Sequence, residues 1–172
     1  RGIGVARFSR SMRTAGLILL GLTTGTQAAT IEIETSEIDG ESVSFIAVEG
    51  PLAYGDELRF IDLAIQLPTA IVYLASPGGN LHAGIEIGKA IRLKGYATLV
   101  SDRQSCASAC ALAWLGGPPR LMSEDRAVGF HAAWRAEGTS AHPDSVGNAL
   151  VGAYLNQLGL TPNAIAYVTE AQ

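Results

Sequence analysis

The sequence predicts an α/β fold in which helices cover a sheet that is mostly parallel. Two short, nearly continuous apolar runs, residues 70–75 and 97–100, are typical of buried parallel strands. Residues 80–94 between them carry apolar side chains at helical spacing, and Gly95 follows as a helix stop. A strand, a helix and a second strand in this order predict a right-handed βαβ unit.

The other predicted elements flank this unit. Apolar and polar residues alternate on both sides of Asp39-Gly40, which predicts a hairpin or two edge strands over residues 30–36 and 42–48. A helix is predicted from Asp56, its N-cap, to residue 67. The later part of the chain predicts a short strand, a flexible polar loop and two amphipathic helices, over residues 127–131, 136–144, 145–158 and 162–169.

The composition is that of one compact domain with a hydrophobic core. The chain has 172 residues, of which 48% are hydrophobic and 16% are charged, so it is not a disordered protein. A formal net charge of -4, without a basic stripe, argues against nucleic acid as a partner. Neither the three histidines nor the two cysteines have the spacing of a zinc site, and we expect no metal and no cofactor.

The first 28 residues have the features of a signal peptide. Four arginines precede the apolar run 15–22, and the small residues of Thr26-Gln27-Ala28 follow it. This pattern predicts cleavage after Ala28 and export to a bacterial periplasm or out of the cell. The alternative is a membrane anchor formed by residues 15–22, although a membrane span needs roughly 20 apolar residues. Residues 29–172 then form the α/β domain.

The segment 104–112 is the candidate catalytic segment. It follows the apolar run 97–100 and opens an alanine-rich helix, so it lies at the carboxyl end of a strand, where open α/β sheets hold their sites. The alanines around Ser108 leave its backbone open to a substrate, although they would equally suit close helix packing. We interpret Ser108 as a nucleophile; the alternative is a serine that caps its own helix.

Three predicted strand ends bring together the groups that acyl transfer needs. Gly78-Gly79 follows the first buried strand, Ser108 follows the second, and His131 ends a later one. They supply unhindered backbone N–H groups for an oxyanion, an attacking hydroxyl and an imidazole that takes its proton. His131 alone would be interpreted as a half-buried histidine bonded to a carbonyl, but with Ser108 upstream we interpret it as the base.

Two backbone N–H groups are the candidates for the oxyanion hole. Glycine adopts positive φ at little steric cost, so Gly79 is able to aim its N–H outward. The N–H of Ala109, directly after the nucleophile and at a helix start, is the second candidate donor.

Two cysteines, Cys106 and Cys110, lie on either side of Ser108. On a helix, a spacing of four residues places their Cα atoms about 6 Å apart, near the separation found in disulfides. In an exported protein this favours a local disulfide around Ser108, and the alternative is a pair of buried thiols.

These residues resemble the proteolytic subunit of the Clp protease, within the ClpP/crotonase superfamily. Ser76-Pro77-Gly78-Gly79, the small-residue Ser108 motif and His131 after Ala127-Val128-Gly129-Phe130 occur in the same order there. The resemblance covers residues 43–134 and is strongest to exported Clp-like proteins with cysteines around the serine. It implies a spiral of ββα units, Ser108 as nucleophile, His131 as base, Gly79 and Ala109 as oxyanion donors, and Gly78 as support for the turn.

The resemblance leaves the third catalytic residue unassigned. The family's Asp lies well beyond its histidine, and no residue after His131 matches it. Asp144 is the only Asp after His131, but it lies in the predicted loop, earlier than the family's position. Either Ser108 and His131 act as a dyad, or the domain is truncated and the acid lies beyond Gln172.

The leading functional interpretation is a serine peptidase-like hydrolase that acts through an acyl-enzyme on peptides or unfolded protein. One alternative is a crotonase-type acyl enzyme, which would use only the oxyanion hole to stabilise an enolate. The other is a non-catalytic scaffold or binding module of the same fold. By resemblance we expect a homo-oligomer, and we expect no ATPase partner because exported compartments lack ATP.

Overall fold

The computed structural model describes residues 28–101, 104–137 and 140–170. Except for Ala28, the predicted signal peptide lies outside the described residues. Among the residues described, no helix is long and apolar enough to cross a membrane. The elements of the described chain are β1 (Thr30–Ile38), β2 (Glu41–Glu49), α1 (Asp56–Gln66), β3 (Ile71–Ala75), α2 (Leu81–Lys94), β4 (Ala97–Val100), β5 (Cys106–Ala107), α3 (Ala109–Leu115), β6 (Arg120–Met122), β7 (Val128–Gly129), β8 (Trp134–Glu137), β9 (Ser140–Pro143), α4 (Ser145–Gln157) and α5 (Pro162–Glu170).

A five-stranded sheet lies at the centre, in the order β1-β2-β3-β4-β6. β1 and β2 form the predicted hairpin, and both residues of its Asp39-Gly40 turn have positive φ. The strands from β2 to β6 in this sheet pair in parallel. The predicted succession of strand, helix and parallel strand is present as β3, α2 and β4.

A second, shorter row of backbone pairings lies beyond the end of β3. β5 pairs in parallel with β7, and isolated bridges join Ser76 to Cys106 and Leu52 to Gly79. Ser76 donates its N–H to Ser105 O at 2.9 Å, and its carbonyl accepts from Ala107 N at 3.2 Å. This row holds the turns that follow β3 and β5 next to each other.

The core is built between the central sheet and helices α1, α2 and α3. Ile46 and Val72 from the sheet belong to the same buried cluster as Phe60 and Ile91 from the helices, and all four are fully buried. Each such side chain stabilises the fold by about 1.5–3 kcal/mol when it leaves water. The apolar runs of the sequence are therefore the strands of this core.

Helices α2 and α3 pack backbone against backbone. A side chain at Gly84 would collide with the carbonyl oxygen of Ala109, and a Cβ at Gly88 would lie 3.0 Å from the carbonyl oxygen of Leu112. The absence of these side chains lets the first turn of α3 lie directly against α2.

A disulfide joins β5 to α3. Cys106 and Cys110 are bonded, their Cα atoms are 5.2 Å apart, and both residues are buried. The predicted disulfide is thus confirmed, and the alternative of two buried thiols is wrong. The bond closes a short loop of backbone that contains Ser108.

Asp56 is not the N-cap of α1. Gly55 holds that position with a φ of 97°, and Asp56 is the first helical residue. Its buried carboxylate accepts hydrogen bonds from the N–H groups of Ala29 at 3.1 Å and Ala53 at 2.8 Å. The carboxylate therefore fastens two neighbouring segments and does not cap the helix's own N–H groups.

Residues 136–144 are not the predicted loop, because most of them belong to a β-hairpin. β8 and β9 pair antiparallel, from Trp134 opposite Pro143 to Glu137 opposite Ser140. β9 is exposed along its whole length, so it has no buried face and its sequence shows no apolar alternation. The exposed edge strand β6 was not predicted for the same reason.

We expect Gly84→Ala to destabilise the protein by about 1–3 kcal/mol, because the added methyl group overlaps the Ala109 carbonyl and forces α2 away from α3. Gly152→Ala is the matched control, since a Cβ there meets only Ile165 at 3.8 Å. Helix propensity alone favours alanine by about 1 kcal/mol, so the control should be neutral or stabilised. Urea denaturation measures the free energy of unfolding of both variants. Equal values for Gly84→Ala and Gly152→Ala would contradict the packing of α2 against α3.

Replacing both cysteines, as Cys106→Ala with Cys110→Ala, should lower the free energy of unfolding by about 2 kcal/mol, the chain entropy of so short a loop. A reducing agent should lower the melting temperature of the wild type and leave that of the double variant unchanged. If the reducing agent left the melting temperature of the wild type unchanged, the disulfide would not stabilise the fold.

Candidate active site

Ser108 lies in a strained turn between β5 and α3. Its φ of 57° and ψ of -125° place a residue with a side chain in a region that such residues rarely adopt. Its N–H donates to Gly129 O of β7 at 2.8 Å, and its carbonyl accepts from Leu112 N at 3.3 Å. The side chain makes no capping hydrogen bond with α3, so the hydroxyl is not occupied by its own helix.

Gly78 packs directly against this turn. Its φ is 94°, and a Cβ there would lie 2.6 Å from both Ala107 O and the Cβ of Ser108. The hydroxyl of the buried Ser76 accepts the Gly78 N–H at 3.0 Å and holds the loop in this position. Only glycine provides both the conformation and the space that this approach needs.

Two unpaired backbone N–H groups lie beside Ser108. Leu52 binds the residues on either side of Gly79: it donates to Gly78 O and accepts from Asn80 N, both at 2.8 Å. The N–H of Gly79 itself, and that of Ala109 at the first position of α3, have no hydrogen-bond partner within the described chain. Both residues line the cavity that contains Ser108.

His131 follows β7 and lines the same cavity. Its Nδ1 lies 2.7 Å from the carbonyl oxygen of Ala132. Because a carbonyl oxygen only accepts, Nδ1 carries the hydrogen in the neutral ring, and Nε2 keeps its lone pair. The histidine is thus bonded to a carbonyl, as in the alternative interpretation, but its ring is exposed. No hydrogen bond between described residues joins it to Ser108.

Asp144 also lines this cavity, although the sequence argued against it because it lies earlier than the family's Asp. It is the N-cap residue of α4, yet its carboxylate makes no capping hydrogen bond. Gly147 leaves room for that carboxylate, since a Cβ there would lie 2.9 Å from its Oδ2. The sequence signal that could have identified this N-cap position is an Asp directly before an amphipathic helix.

The segment between His131 and Asp144 is closed at its base by a backbone hydrogen bond and a side-chain hydrogen bond. Asp144 donates its N–H to Ala133 O at 2.8 Å, and Asn148 accepts the Ala133 N–H at 2.8 Å through its side-chain oxygen. The β8–β9 hairpin therefore leaves and rejoins the site at one fixed point.

Tyr154 ties α4 to the helix that begins at the serine. Its buried hydroxyl donates to Leu112 O of α3 at 3.1 Å. Burial raises the pKa of this phenol above its usual range, so it remains a protonated donor. This bond fixes α4, and with it Asp144, relative to Ser108.

The cavity has a volume of about 230 Å³ and combines polar groups with apolar walls. The residues that contribute polar groups to its lining are Gly79, Ser108, Ala109, His131 and Asp144. The apolar lining consists of Leu81, Leu112, Phe130, Ala133, Trp134, Val151 and Val168. A site of this kind suits a substrate with a small apolar group next to a polar reacting centre.

Comparison with known proteins relates the fold to solved protease structures. No protein-family model matches the sequence, and no curated protein matches it. A mutant of a membrane-bound stomatin-specific protease is 19% identical, with a TM-score of 0.54, over 71% of this chain and 66% of its own. A mutant of ClpP1 from Listeria monocytogenes is 13% identical, with a TM-score of 0.53, over 73% of this chain and 78% of its own.

At these identities the likeness concerns the fold alone. The match spans slightly less than two thirds of the length of the stomatin-specific protease. The likeness to these two structures, the parallel sheet and the second row of pairings show that the chain has a ClpP-like fold. This is the ClpP/crotonase type of fold that its sequence predicts.

Proposed function

We propose that the protein is a serine peptidase-like hydrolase that acts through an acyl-enzyme on peptides or unfolded protein. One observation carries this proposal: a single cavity is lined by the strained Ser108, by His131, and by Gly79 and Ala109 with their unpaired N–H groups. A nucleophile, a base and two oxyanion donors in one place are the set of groups that acyl transfer requires.

The presence of these groups in one cavity supports the following reaction. Ser108 Oγ attacks the substrate carbonyl carbon and passes its proton to Nε2 of His131, which the bond from Nδ1 to Ala132 O leaves unprotonated. The N–H groups of Gly79 and Ala109 stabilise the oxyanion. His131 then protonates the leaving amine, and water hydrolyses the acyl-enzyme with the same histidine as base.

Asp144 is the acidic residue of the proposed mechanism. Its carboxylate makes no capping hydrogen bond, and Asp144 lines the same cavity as His131. In the proposed mechanism this carboxylate stabilises the positive charge that the imidazole acquires during the reaction. It lies earlier in the chain than the family's Asp, and its position as the N-cap residue of α4 holds it in place.

The proposed enzyme acts after export. The predicted leader and the disulfide between Cys106 and Cys110 support this location, and one similar fold is that of a membrane-bound protease. Without ATP in that compartment, it would take peptides or chains that are already unfolded. Self-association is part of the proposal, and the exposed side chains of Trp134, Val146 and Leu150 offer apolar surface for it.

A fluorophosphonate probe, which forms a covalent bond with an activated serine, should label the wild type and fail to label Ser108→Ala. Ser105→Ala is the matched control, because Ser105 is exposed and its hydrogen bond to Ser76 uses only its backbone carbonyl, which alanine keeps. The control should label as the wild type does. An unlabelled, folded wild type would overturn the peptidase proposal and favour a crotonase-type enzyme or a binding module.

Asp144→Asn should lower the maximal rate of probe labelling by about tenfold to a hundredfold, equivalent to about 1.4–2.7 kcal/mol of transition-state stabilisation. The concentration of probe at half-maximal rate and the melting temperature should stay unchanged, since the amide keeps the shape of the site. Asp125→Asn, in an exposed turn, is the control and should have no effect. An unchanged labelling rate in Asp144→Asn would remove Asp144 from the mechanism.

A further inference from the structure

The residue directly after the predicted cleavage point is buried and hydrogen-bonded to side chains. Ala28 is exposed, whereas Ala29 is only 1% exposed. Ala29 donates its N–H to Oδ2 of Asp56 at 3.1 Å, and its carbonyl accepts from Arg59 at 2.9 Å. Two side chains of α1 thus bind both polar backbone groups of this one residue.

Asp56 provides a buried carboxylate whose partners are mostly neutral. The residue is 1% exposed, and its Oδ2 accepts the N–H groups of Ala29 and Ala53. Arg59 pairs with the other oxygen at 3.0 Å, but the arginine side chain is half exposed. Burying a carboxylate is costly unless charges compensate it, so a cation at Oδ2 would be a better partner than a peptide N–H.

We propose that Ala29 is the N-terminal residue of the mature protein and that Asp56 is the built-in acceptor of its α-ammonium group. A signal peptidase adds water across the peptide bond between Ala28 and Ala29, so that Ala28 leaves with a carboxylate and Ala29 keeps the amine. α-Amino groups are mostly protonated at neutral pH. Processing therefore replaces a neutral hydrogen bond at Asp56 with an ion pair, without moving the nitrogen.

The inference rests on two independent observations and not on the proposed activity. The small residues of Thr26-Gln27-Ala28 predict cleavage at this bond from sequence alone. The structure places a buried carboxylate within hydrogen-bond distance of the nitrogen that this cleavage would release. The ion pair would fix the start of β1, the edge strand of the central sheet.

The first test is the mass of the protein after export. The full chain, expressed with its leader in a bacterium that exports it, should be recovered with Ala29 as its N-terminal residue, as measured by intact mass and N-terminal sequencing. A processed chain that begins at any other residue, or an unprocessed one, would overturn the proposal.

The second test is the reactivity of the α-amine in this processed protein. Acetic anhydride should acetylate it about tenfold more slowly in the wild type than in Asp56→Asn, because the ion pair favours the unreactive charged form. Asp62→Asn, on the exposed face of the same helix, should behave as the wild type does. If Asp56→Asn does not fold, the wild type in urea replaces it as the reactive reference. Equal rates in the folded wild type and the reference would refute the ion pair.

Discussion

The approach of Gly78 to the Ser108 turn is the constraint on which the site depends. A Cβ at this position would lie 2.6 Å from Ala107 O and 2.9 Å from Ala109 N, so the two turns touch only because residue 78 has no side chain. This contact puts the N–H groups of Gly79 and Ala109 on one cavity. Ser76 and the short pairings of β5 hold the turns in contact, and the disulfide closes the backbone around the serine.

Elements far from this contact maintain its geometry. Leu52 binds the residues on either side of Gly79, and its neighbour Ala53 is fastened to Asp56 of α1. On the opposite side, Tyr154 binds α4 to α3 and so fixes the helix that begins after Asp144. Two buried side chains therefore maintain the site: the carboxylate of Asp56 binds backbone N–H groups outside its helix, and the phenol of Tyr154 binds the backbone of α3.

The sequence predicts the parts of this arrangement that are governed by burial and by glycine. The apolar runs that became β3 and β4, the helix between them and the turn at Gly78 follow from composition and spacing. The hairpin β8–β9 was missed because β9 has no buried face. Asp144 was not assigned to the site, since only the tertiary structure brings it to the cavity of Ser108. The role of Asp56 was also missed, since only tertiary structure brings Ala29 to its carboxylate.

The measurement that tests the account most directly is a crystal structure of the protein after reaction with a peptide boronic acid. We predict a covalent bond from boron to Ser108 Oγ, with one boronate oxygen about 2.7–3.1 Å from the backbone nitrogens of both Gly79 and Ala109. A boronate attached elsewhere, or one whose oxygens reach neither nitrogen, would contradict it.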